Sequence, residues 1–322
     1  MPRERWTRAT PPLALDATAA AQMLHPALGA VSVTALEPLG GGHSNTNIRV
    51  RLDGAPGSVV LRLYQRDPAQ MRKEAALARL LAGRVPVPAY LHCGERAGQP
   101  YAVVEWIDGK PLQPLVRGMD EAALGFAGRE IGRALAAIHS VTFDQPGFLD
   151  GDLKTTPFPG GASNASFLET TFAGVAGERL GRDLAAQVVA FARANEHRAA
   201  AWSHPPRLTH FDFGSSNILV REDFSLAGIV DWEFAAAASP APDFGNLLRP
   251  PLGHSSAFVG GVADGYRAAG GFLPPGWRAL TRLADMGAWA EFLSRPQIGD
   301  ALIEDARQIL RLTITAPFET SN

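Results

Sequence analysis

An α+β fold in two unequal parts is what this sequence predicts, a small β-rich part followed by a larger, mainly helical one. Three observations carry that expectation. Between residues 31 and 107 several short runs alternate apolar and polar residues, the period of a half-buried strand. From Asp120 onward apolar residues recur at three- and four-residue spacing, as on one face of a helix. Within the helical part, the stretch Leu208–Phe234 (LTHFDFGSSNILVREDFSLAGIVDWEF) reverts to two short apolar strands joined by a charged turn.

Taken in order, residues 1–12 form a polar arm. Asp16 is a suitable N-cap for a helix over 17–28, which Gly29 ends. Strands are expected over 31–39, 47–52 and 58–64, with a glycine turn at 40–42 and Asp53-Gly54 as the second turn. Pro68 opens a helix to about residue 82, with Leu77, Leu80 and Leu81 on one stripe. The proline-rich VPVPAYLHCG segment suits an edge strand near 89–93, and YAVVEWI (101–107) a buried one. Asp120 caps a helix to about His139 that turns Leu124, Ile131, Leu135 and Ile138 inward. Residues 140–162 read as a long loop, followed by helices near 163–175 and 178–202. After the hairpin come a short helix from Asp243 and helical runs near 255–269, 274–293 and 299–312. The division expected is a small lobe over 1–107 and a large lobe over 108–322, with a helical insert at about 140–205.

Composition narrows the class. A chain of 322 residues that is 46% hydrophobic and 19% charged is long enough for a substantial core. A net charge of −2 gives no reason to expect nucleic acid as a partner. The single cysteine excludes an internal disulfide. No apolar run approaches a membrane span. A cytoplasmic location follows as the expectation. Residues 1–107 carry twelve Lys and Arg against eight Asp and Glu, whereas the remainder is acidic on balance, which favours a cationic ligand there.

The hairpin carries the chemistry. Asp212 and Asn217 precede its first strand and Asp231 follows its second. A carboxylate, an amide and a second carboxylate at the ends of a rigid hairpin suit Mg²⁺, which takes oxygen ligands and needs only one or two carboxylates beside substrate phosphates. The remaining carboxylate is then available to orient a hydroxyl nucleophile. Upstream, Gly40-Gly41-Gly42-His43-Ser44-Asn45 joins two strands. Its backbone N–H groups could approach phosphate oxygens, or the turn could be closed by its own polar side chains. Arg62 lies on the third strand, where it could grip phosphates or face solvent, and Glu74 on the next helix could pair with it. Lys73 reads as a solvated charge, His210 as a brace for the loop backbone, and His43 and His139 as lone surface or core-edge residues. Asp243 follows two prolines and is explained by an N-cap. Trp277, Trp289 and Phe292 have the spacing of a helix core. Glu233 is open between solvent, substrate and a supporting role.

Taken together, HFDFGSSNILV, Asp231 nineteen residues beyond Asp212 in VDWEF, and the following PAPDFGNLL resemble the aminoglycoside phosphotransferase and choline-kinase-like enzymes. The resemblance runs from the glycine turn through the helix at 243 and is most specific over 208–248. It implies a two-lobed protein-kinase-like fold and phosphoryl transfer from ATP or GTP with Mg²⁺ to a hydroxyl of a sugar, amino alcohol or aminoglycoside-like acceptor. By residue, it implies that Asp212 is the catalytic base and that Asn217 and Asp231 ligate magnesium. Gly41, Gly42, Ser44, Asn45, Arg62 and Glu74 would face the nucleotide phosphates, and backbone at Glu105 and Ile107 the base. The variable insert and the C-terminal helices would hold the acceptor, with Glu169, Glu233 and Glu291 as acidic candidates. Asp243 comes only twelve positions after Asp231, too few for the peptide-docking segment of a protein kinase. The complete Asp212, Asn217 and Asp231 set stands against a silent nucleotide-binding relative.

Overall fold

The computed structural model describes residues 11, 13–40, 45–65, 67–159, 161, 163–202 and 204–316. Helix α1 (Ala17–Leu28) starts as the sequence predicts, with the Asp16 carboxylate accepting from the Ala19 N–H at 2.7 Å. Strands β1 (Val33–Pro38), β2 (Thr46–Leu52) and β3 (Ser58–Leu63), then β4 (Tyr90–Arg96) and β5 (Gln99–Glu105), form one antiparallel sheet in the order β1-β2-β3-β5-β4. Alternation along the strands gives this sheet two faces. Ile48, Val50, Val59, Leu61 and Val103 pack with Met23 and Leu24 of α1. The opposite face carries Val60, Arg62, Tyr64, Ala102 and Val104, beneath helix α2 (Ala69–Leu81). Strand β4, which follows the proline-rich segment ending at Pro88, is at an edge.

The rest of the chain is mainly helical. Strand β6 (Lys110–Pro111) and helix α3 (Leu112–Leu115) lead to α4 (Glu121–His139), capped by Asp120 on the Ala123 N–H at 2.8 Å. The stretch expected to be a loop contains strands β7 (Gly147–Leu149) and β8 (Thr155–Thr156). Helices α5 (Asn164–Phe172), α6 (Val175–Leu180) and α7 (Arg182–Ala199) replace the two helices the sequence predicts, broken at Gly174 and Gly181. Strand β9 (Arg207–Thr209) precedes the predicted hairpin, β10 (Ile218–Val220) and β11 (Leu226–Ile229). Then come β12 (Ala236–Ala238), α8 (Ala241–Leu247), α9 (Ser256–Ala268), α10 (Trp277–Ser294) and α11 (Asp300–Thr315). The hairpin extends into a three-stranded sheet with β6, and β8-β7-β12-β9 make a four-stranded one. Strands of two to four residues are too short to show a period, and their pairing comes from partners distant in the chain. No helix among the described residues is long and apolar enough to cross a membrane.

Helices α4 and α9 approach closely because both present glycines at the contact. A Cβ on Gly132 would lie 2.2 Å from the Val262 carbonyl oxygen, and one on Gly265 would lie 2.1 Å from that of Arg129. The obstructing atoms are backbone, so relief requires the helices to separate. Gly132→Ala is therefore expected to destabilise the protein by about 3 kcal/mol despite its better helix propensity, measurable by denaturant unfolding. Along its length α4 also delivers His139, its last residue, to the base of the site.

Candidate active site

Two parts of the chain meet where the hairpin faces the first sheet. Asp212 follows β9 in a loop whose preceding residue, Phe211, has a positive φ of 67°. The Asp212 carboxylate accepts from two amides, Asn217 Nδ2 at 3.0 Å on Oδ2 and Asn246 Nδ2 at 3.2 Å on Oδ1. Asn217 Nδ2 also donates to the Asp212 carbonyl at 2.8 Å. With its NH₂ committed to Asp212, the Asn217 amide directs its oxygen elsewhere, as a hard-cation ligand must. Asn246, on α8, is a site residue that the sequence does not announce, since it reads only as one position in a short helix.

At the far end of the hairpin the chain turns sharply, with Asp231 in the left-handed region (φ 68°, ψ 60°). A non-glycine residue there carries strain, and such strain collects at functional positions. The kink brings the Asp231 carboxylate to Arg62, with Nη2 to Oδ1 at 2.8 Å. The same Nη2 is 2.9 Å from Glu74 and 3.5 Å from Glu233. The Arg62–Glu74 pair expected from the sequence therefore forms. Burial alone would lower the Arg62 pKa, but the Glu74 and Asp231 carboxylates outweigh it and hold the guanidinium well above its usual value. Burial likewise pushes the Glu74 carboxyl up against the pull of Arg62, and Tyr64 donates its O–H to Glu74 at 2.5 Å. Among the described residues the buried Nε of Arg62 has no hydrogen-bond partner. A guanidinium with one unpaired N–H fits an anionic oxygen such as a phosphate's.

Lys73 corrects the sequence reading. It is not a solvated charge: it is 6% exposed, and its ammonium donates to the Glu233 carbonyl at 2.5 Å. Burial pulls its pKa below the ordinary lysine value, with Glu74 and Glu233 acting in opposition. Together with the Ile229 N–H to Pro86 carbonyl bond of 2.9 Å, it ties the small sheet's side of the cleft to the hairpin.

Asp243 is the second correction. The helix is capped at Pro240, without a side-chain bond. The fully buried Asp243 carboxylate instead accepts the backbone N–H groups of His210 at 2.9 Å and Phe211 at 2.8 Å. His139 is no surface histidine either. It is 1% exposed, with Nε2 3.1 Å from Asp243 and Nδ1 3.0 Å from the Tyr266 hydroxyl. Burial raises the Tyr266 pKa, so its O–H stays protonated beside the His139 ring. His210 does brace the loop: Nε2 is 3.0 Å from the Val230 carbonyl, and Nδ1 accepts the Asp212 N–H at 3.3 Å.

Of the remaining sequence candidates, Asn45 donates to Glu233 Oε2 at 2.8 Å, which places Glu233 with Arg62 and Asn45. Glu105 ends β5 with its N–H and carboxylate both bonded to Ala89. Ile107 packs on Gly228 of β11, where a Cβ would come within 2.5 Å of its Cδ1. Glu169 pairs with Arg193 and Glu291 with Arg295 on exposed helix surface, outside the network around Asp212. Gly41, Gly42 and Ser44 lie outside the described residues. Trp289 and Phe292 are core as expected, though Trp289 also donates Nε1 to Asp285 at 2.8 Å, the partner of Arg249.

Solved structures that share this fold include aminoglycoside phosphotransferases. Aminoglycoside phosphotransferase APH(4)-Ia superimposes with a TM-score of 0.66 at 17% identity over 93% of this chain and 98% of its own. APH(2'')-IIa, solved as a ternary complex with streptomycin and ATP, gives 0.62 at 16% identity over 93% and 97%. Spectinomycin phosphotransferase APH(9)-Ia, in complex with ADP and spectinomycin, gives 0.60 at 11% over 96% and 97%. No curated protein sequence matches the chain. The family model of the phosphotransferase enzyme family matches residues 35–283. The chain belongs to that family and is a small-molecule phosphotransferase with a two-lobed, protein-kinase-like α+β fold.

Proposed function

We propose that the protein transfers the γ-phosphoryl group of ATP, with Mg²⁺, to a hydroxyl of a small acceptor such as a sugar, amino alcohol or aminoglycoside-like compound. The observation that carries this reading is the convergence of Arg62 on Asp231 beside an Asp212 carboxylate held by two amides. Phosphoryl transfer asks a protein for positioning and charge neutralisation and for little covalent chemistry. Asp212 would orient the acceptor hydroxyl and take its proton. Asn217 Oδ1 and the Asp231 carboxylate would hold the metal. Among the described residues no three His, Cys, Asp or Glu side chains cluster as a metal site; an amide, a carboxylate and phosphate oxygens require none. When bound, Mg²⁺ neutralises charge on the phosphate oxygens. Arg62, oriented by Glu74, would exchange its contact with Asp231 for phosphate. The backbone at Glu105 and Ile107 would meet the purine, and the glycine turn with Asn45 would cover the phosphates.

Asp231→Ala tests the metal assignment. Mg-dependent ATP binding, measured by titration calorimetry, should weaken by roughly ten- to a hundredfold, the worth of one contact to a charged group. Metal-free ATP binding should hold or tighten, because Arg62 loses a competing carboxylate. Equal Mg-ATP affinity in the variant and the parent would remove Asp231 from the metal site.

A further inference from the structure

The catalytic loop continues outward into a strip of three phenylalanines whose rings touch in sequence. Phe211, immediately before Asp212, lies 6.1 Å centroid to centroid from Phe158 at a tilt of 31°. Phe158 in turn meets Phe148 edge-to-face at 4.8 Å and 84°. Phe158 and Phe211 are partly exposed, and Phe148 is 48% exposed on the outer face of β7. Other exposed large apolar side chains, such as Phe272 and Leu312, lie elsewhere in the chain; among the described residues, Phe148 is the exposed one whose ring contacts lead to a residue adjoining Asp212.

Phe211 is informative because of its backbone. Its φ of 67° is a conformation glycine adopts without penalty and a bulky residue only under strain. The strain is held by the Asp243 carboxylate on the Phe211 N–H. A phenyl ring placed there at such a cost has a use that glycine would not serve. The hairpin carrying Phe148 also borders the cleft: Gly151 in its turn abuts Arg72 of α2, the neighbour of Lys73, which reaches Glu233.

We propose that Phe148, Phe158 and Phe211 form the acceptor wall, and that the acceptor carries its reacting hydroxyl beside an aromatic or otherwise apolar ring face. This deepens the kinase reading above and rests on it. Phenyl rings offer no hydrogen bond; they reward a flat apolar partner by stacking or edge contact. Two of the acidic side chains that would favour a polycation are neutralised elsewhere, Glu169 by Arg193 and Glu291 by Arg295.

The test measures direct binding to the full chain in the presence of Mg²⁺ and a non-hydrolysable ATP analogue. The probes are phenyl β-glucoside, methyl β-glucoside and kanamycin. The expected result is that the phenyl glycoside binds about tenfold more tightly than the methyl glycoside, and that Phe158→Ala or Phe148→Ala removes most of this difference. Phe148→Ala alters a half-exposed side chain, so it remains informative if Phe158→Ala fails to fold. Equal affinity for the two glycosides, no binding of either, or a preference that survives both substitutions overturns the proposal. Preference for kanamycin unaffected by either variant does so as well. Failure of the underlying kinase reading is seen separately, as an absence of Mg-dependent ATP binding by the parent protein.

Discussion

Asp212→Ala is expected to lower kcat for acceptor phosphorylation about a thousandfold, the usual range for losing a positioned general base, while Mg-ATP affinity stays within about threefold. The separation follows from the geometry. Asp212 bonds to Asn217 and Asn246, whereas Arg62 bonds to Asp231 and Glu74. Removing the first carboxylate leaves the second cluster intact. Asparagine is a poor isostere here. Each Asp212 oxygen accepts an NH₂ group, so the amide introduced by Asp212→Asn would set NH₂ against NH₂ on one side. Asn217 keeps its bond to the Asp212 carbonyl, which the backbone retains in either variant, so the new NH₂ would turn toward Asn217 and leave Asn246 its acceptor, at a cost of about 1 kcal/mol. Steady-state kinetics with nucleotide titration checks both variants. Near-normal turnover in Asp212→Ala would mean another group takes the proton.

Asp243→Ala is expected to affect stability and rate together, although Asp243 meets neither nucleotide nor acceptor in the proposed reaction. Its carboxylate is the acceptor for the His210 and Phe211 N–H groups and for the His139 ring. Truncation strands buried donors on both sides, and breaking a buried charged network of this kind costs about 3–5 kcal/mol. The unfolding midpoint should drop by about 6 °C. The loop that holds Asp212 should also relax, because Phe211 would lose the bond that opposes its positive φ. Turnover per folded molecule should therefore fall well below that of Gly132→Ala, a variant destabilised far from the loop. If the two variants kept equal turnover per folded molecule, Asp243 would be a stability residue only.

Much of the site is legible in the sequence because its spacing is local. Asp212 and Asn217 are five residues apart, and the hairpin returns Asp231 to the same end. Arg62 and Glu74 are on consecutive elements and do pair. Lys73 is misleading in the sequence because one turn of an amphipathic helix does not tell which charge faces a cleft formed by residues 160 positions later. Asn246 and Asp243 are unremarkable in a short proline-led helix. Their partners are more than thirty positions upstream, and no local pattern encodes such a contact. The strands of the β8-β7-β12-β9 sheet are invisible for the related reason that three-residue strands have no period to detect.

By itself, then, the sequence determined the α+β class, the hairpin with its carboxylates and amide, and the arginine–glutamate pair, all consequences of propensity and short-range spacing. Only the tertiary structure decided which buried charges serve that hairpin, how closely α4 and α9 could approach, and that three phenylalanines from separate segments form a strip ending beside Asp212. Those features depend on close packing between distant parts of the chain, and packing is specified by all of the neighbours at once.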